Sequence, residues 1–212
     1  MYPMAPHLED LSRTILSKAN GKRSPRFIVG ITGGPGSGKS TLADQLREHI
    51  NNTTKSDIVQ ILPMDGFHRR NSELKQLGLI SLKGTPETFD GERYLSTLKR
   101  VTRGKIVKAP AYSRELHDVI DNALLIEPHH RIIITEGNYL LLDWGVWAEL
   151  KDSIDFKIYR EVKKSVCKRR LLERRIRGGE KRDLALEKIR KVDMQNFDLI
   201  AQTKKYADLV IS

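Results

Sequence analysis

Apolar residues follow two alternating rhythms along the chain. Leu8, Leu11, Ile15 and Leu16 recur at helical spacing over 8–18, and Leu42, Leu46 and Ile50 recur at i, i+4 and i+8 over 41–50. Tyr94, Leu95, Leu98 and Val101 share one side of a third helical pattern over 91–103. Between these lie short runs that are apolar throughout: "RFIVGIT" over 26–32, a second run over 58–64, and "RIIIT" over 131–135. Two more occupy 154–159 and 207–211, with a long basic helical region between them. A strand that is apolar on both faces must be buried on both faces. The alternation with helices therefore predicts an α/β fold with a central parallel sheet covered on each side, in three layers. No internal repeat or low-complexity tract interrupts it. The loop 78–86 and the pair Gly178-Gly179 are the expected flexible points.

Length and composition narrow the picture. A chain of 212 residues with 39% hydrophobic content suits one domain with one sizeable core. No apolar run approaches the ~18 residues of a membrane span. The opening "MYPMAPHLEDLSRTIL" lacks a continuous apolar stretch behind a basic start, so no secretory signal is expected. One cysteine, Cys167, excludes an internal disulfide framework and fits a reducing compartment, with cytoplasm the expected location. The net charge of +11 is uneven. Residues 160–191 hold 14 Lys/Arg against 5 Asp/Glu, which points to a polyanion partner, either a nucleic acid or a nucleotide's phosphates.

The chemistry starts at "GITGGPGSGKST", residues 30–41. Gly33 to Ser40 match G-x-x-x-x-G-K-[ST] between a predicted strand and a predicted helix. Glycines let backbone N–H groups turn inward around phosphate oxygens, and the following helix N-terminus adds partial positive charge. Gly33, Gly34, Pro35, Gly36, Ser37, Gly38, Lys39, Ser40 and Thr41 are the expected nucleotide-binding residues. Lys39 would reach the β- and γ-phosphates and Ser40 would ligate Mg²⁺. ATP or GTP with Mg²⁺ follows, on a three-layer P-loop NTPase fold of the nucleoside/nucleotide kinase type. The destination of the γ-phosphoryl group does not follow.

Two carboxylates stand at the ends of predicted strands. Asp65 closes "IVQILPMDGFHRRN" and Glu136 closes "RIIITEGNYLLLDW". In an open parallel sheet, ligands collect at the carboxyl ends of strands, so both acids and the P-loop are expected to meet in one crevice. One acid would hold the magnesium shell, and the other would accept a hydroxyl proton or orient the nucleophile. The plainer alternative is that each caps a following turn. Phe67 and His68, just after Asp65, are candidate substrate contacts. Tyr139, with Trp144 and Trp147, is a candidate pocket wall or core residue. His129 and His130 read as a surface turn, since no spaced metal partners accompany them.

"GITGGPGSGKST", "LPMDGFHRR", "KGTPETFD", "KAPAYSRELHDVI", "IIITEGNYLLLD" and "TKKYADLVI" occur here in the order seen in the phosphoribulokinase/uridine kinase family of P-loop kinases, and the sequence resembles it over about residues 8 to 212. That family includes type I pantothenate kinases, and the resemblance extends to bacterial members described as sugar or pantothenate-like kinases. It implies that Asp65 activates the acceptor hydroxyl near magnesium and that Glu136 lies near the metal. It implies that Tyr112 and His117 contact the acceptor, with Arg114 beside them in "PAYSRELHD". It places Arg170 and Arg174 where lid arginines approach the phosphates.

The basic segment fits that role. On a helical wheel over 162–177, Val162, Val166, Leu172 and Ile176 share one stripe, Arg169 falls inside it, and Arg170, Arg174, Arg175 and Arg177 spread around the rest. Arginines pointing several ways suit a lid that closes over phosphates better than a solvated face. Aromatic platforms for RNA are absent from the segment, so nucleic acid is not the favoured partner. The sequence thus predicts a single P-loop kinase domain over 1–212, with an N-terminal helix within 1–21 and a lid over about 161–190. It would transfer the γ-phosphoryl of ATP to a hydroxyl of a small metabolite: a sugar, a pantothenate-like compound or a nucleoside. No membrane association is expected. A homodimer is in view because related kinases are often dimers. A P-loop ATPase, a nucleotide-dependent regulator and a polynucleotide-binding protein are the alternatives.

Overall fold

The computed structural model describes residues 6–212; the sequence expectations for residues 1–5 lie outside them. Helix α1 (Pro6–Asn20) precedes β1 (Phe27–Thr32), α2 (Lys39–Thr54) and β2 (Val59–Pro63). Then come α3 (Asn71–Gln76), α4 (Gly91–Thr102), β3 (Val107–Ser113), β4 (Asp118–Ile126) and β5 (Ile132–Glu136). The chain continues through α5 (Gly145–Asp152), β6 (Phe156–Arg160), α6 (Lys164–Arg177), α7 (Arg182–Lys188), α8 (Met194–Ala201) and β7 (Leu209–Ile211). A five-residue π-helical stretch, Ile189–Asp193, joins α7 to α8.

Five strands form one parallel sheet in the order β2-β5-β1-β6-β7, as the continuous apolar runs predicted. Every residue of β1 and of β5 is buried. Alternation along each strand splits the core in two. Val29, Ile31, Ile132 and Ile134 pack with Leu11, Ile15, Leu42, Leu46 and Ile50 of α1 and α2. Ile28, Ile133 and Leu62 pack with Tyr94, Leu98, Trp147 and Leu150 of α4 and α5 on the other face.

Three features depart from the sequence expectation. First, β3 and β4 form a separate antiparallel hairpin with a register shift between Ala109 and Ala111, around Pro110. It packs on the turn after β2 so closely that a Cβ on Gly66 would lie 2.3 Å from the Pro110 carbonyl oxygen. Second, α6 buries Cys167 and Leu171, not the predicted stripe; Ile176 is 42% exposed. The reason is the P-loop beneath it. A Cβ on Gly36 would meet the Cys167 carbonyl oxygen at 2.9 Å and Leu171 at 3.1 Å. The contact selects the helix face that fits the loop. The expected flexible loop 78–86 is instead tied down: the Gly84 carbonyl accepts from the Tyr139 hydroxyl and from Asn196 Nδ2.

Arg26, just before β1, is 1% exposed. Its guanidinium donates to four carbonyls, of Val101, Lys105, Glu127 and His130, at 2.8–3.0 Å. One side chain thus joins the start of β1 to the ends of α4 and of the hairpin. Arg26→Leu should cost about 3–5 kcal/mol in chemical denaturation, because it strands those carbonyls, and Arg26→Lys should not restore it, lacking the planar fork. A loss below ~1 kcal/mol in either variant would show that water replaces the guanidinium.

Candidate active site

The loop from Gly33 to Gly38 leaves the C-terminal end of β1 and opens α2, with Gly38 capping the helix at φ 89°. Lys39, the first residue of α2, is 8% exposed. Its Nζ donates to the carbonyls of Gly33 (2.9 Å) and Gly34 (3.3 Å) and to Asn138 Oδ1 (2.8 Å). Burial lowers the Lys39 pKa, and Glu136 and then Asp65 oppose that shift. The Ser37 hydroxyl is buried without a protein partner. Pro35 is buried and Thr41 is exposed on the first turn of α2.

The two acids arrive from different strands. Glu136 is the last residue of β5, level with Ile31 of β1 and Pro63 of β2. Asp65 lies in the 3₁₀ turn Met64–Phe67 that follows β2. Glu136 is 6% exposed. Burial and then Asp65 push its pKa up to about 7, while Lys39, a hydrogen bond from Ser40 and the charge of Arg114 pull it down. A cleft of about 330 Å³ opens beside them, lined by Ser40, Asp44, Ile61, Asp65, Tyr112, Arg114, Leu124 and Glu136 among others. The sheet's carboxyl edge and α2 supply one wall, and the β3–β4 hairpin supplies the other.

The remaining candidates divide. Tyr112 and Arg114 line the cleft. His68 stacks on Phe89 with ring centroids 3.8 Å apart, and its Nδ1 is buried without a partner. Burial pushes its pKa down to about 4 despite the opposing charge of Asp65, so the ring is neutral at physiological pH. Arg170 Nη1 lies 3.5 Å from the Gly36 carbonyl. Arg174 is exposed on α6, and desolvation and then the charge of Arg114 lower its pKa. Four residues fall elsewhere. Phe67 is 1% and Tyr139 0% exposed within the core, because the aromatic cluster with Tyr94 and Trp147 buries more apolar surface than the polar cleft offers. His117 is exposed on the hairpin turn at φ 50°, where its carbonyl accepts from Lys83 and Asn71. Trp144 is 45% exposed.

Asn138 and Asp44 were not singled out by sequence. Asn138 has no signature beyond its place two residues after Glu136. Asp44 looked like any helix-surface acid. The histidine pair does acquire a partner: Asp57 lies 3.9 Å from His129 Nε2 and 3.6 Å from His130 Nε2. His130 Nδ1 accepts from the Glu127 N–H at 2.9 Å, and burial lowers the His130 pKa. The neutral ring therefore carries its proton on Nε2 and offers Asp57 an N–H, the wrong face for a metal.

A model of the phosphoribulokinase / uridine kinase family matches residues 28–212. The chain belongs to that family. It is a family kinase, a phosphotransferase by class. A Schizosaccharomyces pombe protein named "Putative uridine kinase C227.14" is 34% identical over 199 residues, 90% of this kinase and 84% of that protein. Pantothenate kinase of Enterococcus faecalis is 36% identical over 152 residues. That match covers 71% of this kinase but 50% of the relative, so the chain spans about half the length of the pantothenate kinases it matches. The crystal structure of a "putative fructose transport system kinase from Silicibacter sp. TM1040" superposes with a TM-score of 0.90 at 32% identity, covering 99% of this kinase and all of that chain. Among the described residues no helix is long and apolar enough to cross a membrane.

The buried Glu136 charge carries a measurable cost. Its folded pKa stands above the unfolded value, so the folded state loses stability as pH rises from about 4.5 to about 7, and the penalty is complete above that. Glu136→Gln should therefore melt higher than the wild-type apoprotein at pH 8, by about 1–3 kcal/mol, and match it near pH 4. Equal melting at pH 8 would show the carboxylate to be fully solvated.

Proposed function

We propose that this kinase transfers the γ-phosphoryl group of Mg-ATP to a hydroxyl of a small polar metabolite bound in the 330 Å³ cleft. One observation carries the reading: P-loop, Asp65 and Glu136, from three parts of the sequence, meet at one edge of the sheet beside a cleft with a separate far wall. An ATPase needs the first three and has no use for the last.

The residues fit the nucleotide and its metal. Gly36 leaves the loop pressed against α6 with no room for a Cβ, and the buried Ser37 hydroxyl lacks a partner that a phosphate oxygen supplies. Glu136 is a buried carboxylate whose charge a divalent cation offsets, and Ser40 lines the cleft beside it. Ser40, Glu136 and Asp65 would hold Mg²⁺, which when bound offsets charge on the phosphoryl oxygens. Lys39 exchanges its carbonyl partners for phosphate oxygens. Asp65 orients the acceptor hydroxyl and takes its proton. Tyr112 and His68 shape the acceptor end, with the orphaned His68 Nδ1 as a hydrogen-bonding atom, and Arg114 lines the same cleft near Glu136.

The same reading treats residues 6–212 as one kinase domain whose segment 161–190 forms a lid. Arg175 is spent on Glu180 (3.1 Å) and Asp193 (2.9 Å), which brace the turn between α6 and α7. Arg170 and Arg174 face the P-loop side and are the arginines that stabilise charge during transfer.

Asp65→Asn should still bind ATP by calorimetry yet lose at least ~100-fold in acceptor-dependent ADP formation. Transfer within a few-fold of wild type would sink the assignment. ATP consumption by the wild type that is indifferent to every sugar, nucleoside and vitamin offered would favour the ATPase instead.

A further inference from the structure

The cleft has two chemically different ends. Ser40, Asp65 and Glu136 mark the phosphate end. Asp44 lies four residues further along α2, and Ile61 lies four residues back along the chain from Asp65. A helix rises 1.5 Å per residue, so Asp44 sits about 6 Å from Ser40 along the α2 axis, away from the phosphates. Between them Ala43, Ile61 and Leu124 make the wall apolar.

The charges are unevenly placed. Arg114 is the one cation that lines the cleft among the described residues. Its charge reaches Glu136 and Arg174. At the other end Asp44 meets only Arg47, at 3.5 Å with side chains 56% and 37% exposed, an i,i+3 pair on the helix surface that holds neither group firmly. The carboxylate is thus free to accept hydrogen bonds from whatever fills the cleft. A volume of about 330 Å³, shared with the transferred phosphoryl group, lies at the small end for ligand sites.

We propose that Asp44 selects the acceptor. It accepts hydrogen bonds from hydroxyls of a neutral polyhydroxylated compound whose reacting hydroxyl lies at Asp65, and it repels acceptors that carry a carboxylate or phosphate at the Asp44 end. A compound that reaches both Asp65 and Asp44, which line the same cleft, needs hydroxyls at separated positions along its chain, as a linear polyol or a monosaccharide has. A carboxylate accepting from two neighbouring hydroxyls binds them strongly and with fixed direction. An anion there faces Asp44, whose one cationic partner among the described residues is the exposed Arg47, and a site discriminates by such a penalty as well as by fit. This assignment rests on the kinase reading above.

The test is steady-state kinetics with wild type, Asp44→Ala, Asp44→Asn and Asp44→Lys. Acceptors are glucose, fructose and the pentitols, set against gluconate, glucuronate and pantothenate. The wild type should use at least one neutral compound and prefer it over every acid by tenfold or more in kcat/KM. Asp44→Ala should raise the neutral acceptor's KM by roughly 10–100-fold, the scale of losing a charged hydrogen-bond partner, and Asp44→Asn should recover part of it. Asp44→Lys should move the preference toward the acids, a gain that a misfolded variant cannot show. Turnover of an acid by the wild type as good as that of the neutral compounds, or an unchanged acceptor KM in Asp44→Ala, overturns the proposal and leaves the kinase reading standing. Absence of acceptor-dependent ADP release with these compounds and with every nucleoside and vitamin offered overturns the kinase reading itself.

Discussion

A carboxylate buried at the centre of a parallel sheet's carboxyl edge is the constraint around which this molecule is arranged. Glu136 is held between the charge of Lys39, a hydrogen bond from Ser40 and the like charge of Asp65. None of these fully offsets the loss of water. The apoprotein keeps a site that is costly by itself and that a divalent cation with a polyphosphate would complete. The cost is tolerable because the strands that deliver the acids are anchored far from the site, by two full layers of helix and by the four carbonyl bonds of Arg26.

Close backbone approach does the rest of the positioning. Gly36 lets α6 lie directly on the P-loop, and Gly66 lets the hairpin lie directly on the turn that carries Asp65. The P-loop and the hairpin wall of the cleft are built on different elements, and the hairpin meets the rest of the fold at Gly66, at Gln60 through the Leu125 carbonyl, and at His68 through the Tyr112 ring. Tyr112 and Arg114 line the cleft from the hairpin, while Ser40 and Asp44 line it from α2.

The basic segment divides its labour in the same way. Its large positive excess suggested a polyanion, and the folded segment commits Arg175 to internal acids while Arg170 approaches the P-loop. The lysines, such as Lys164 with Asp198, make exposed pairs that contribute little to stability and keep the helix soluble. The number of cations is thus a weaker guide to function than which of them lack a partner inside the fold.

Much of this was legible in the sequence wherever the signal was local. Apolar runs named the five sheet strands, helical spacing named α1, α2 and α4, and the contiguous Gly33–Ser40 loop named the nucleotide site. The hairpin escaped notice because β4 is mostly exposed and so lacks the apolar run that marked the other strands. Phe67 and Tyr139 resembled pocket residues because an aromatic beside a functional acid reads the same whether it faces a cleft or a core. The sequence by itself determined the chemistry of phosphate binding, since that chemistry sits within eight consecutive residues whose backbone geometry follows from their own side chains. Only the tertiary structure decided the composition of the cleft, because Asp44, Asp65 and Tyr112 come together through strand order and hairpin packing, and no local pattern encodes which distant residues will share a cleft.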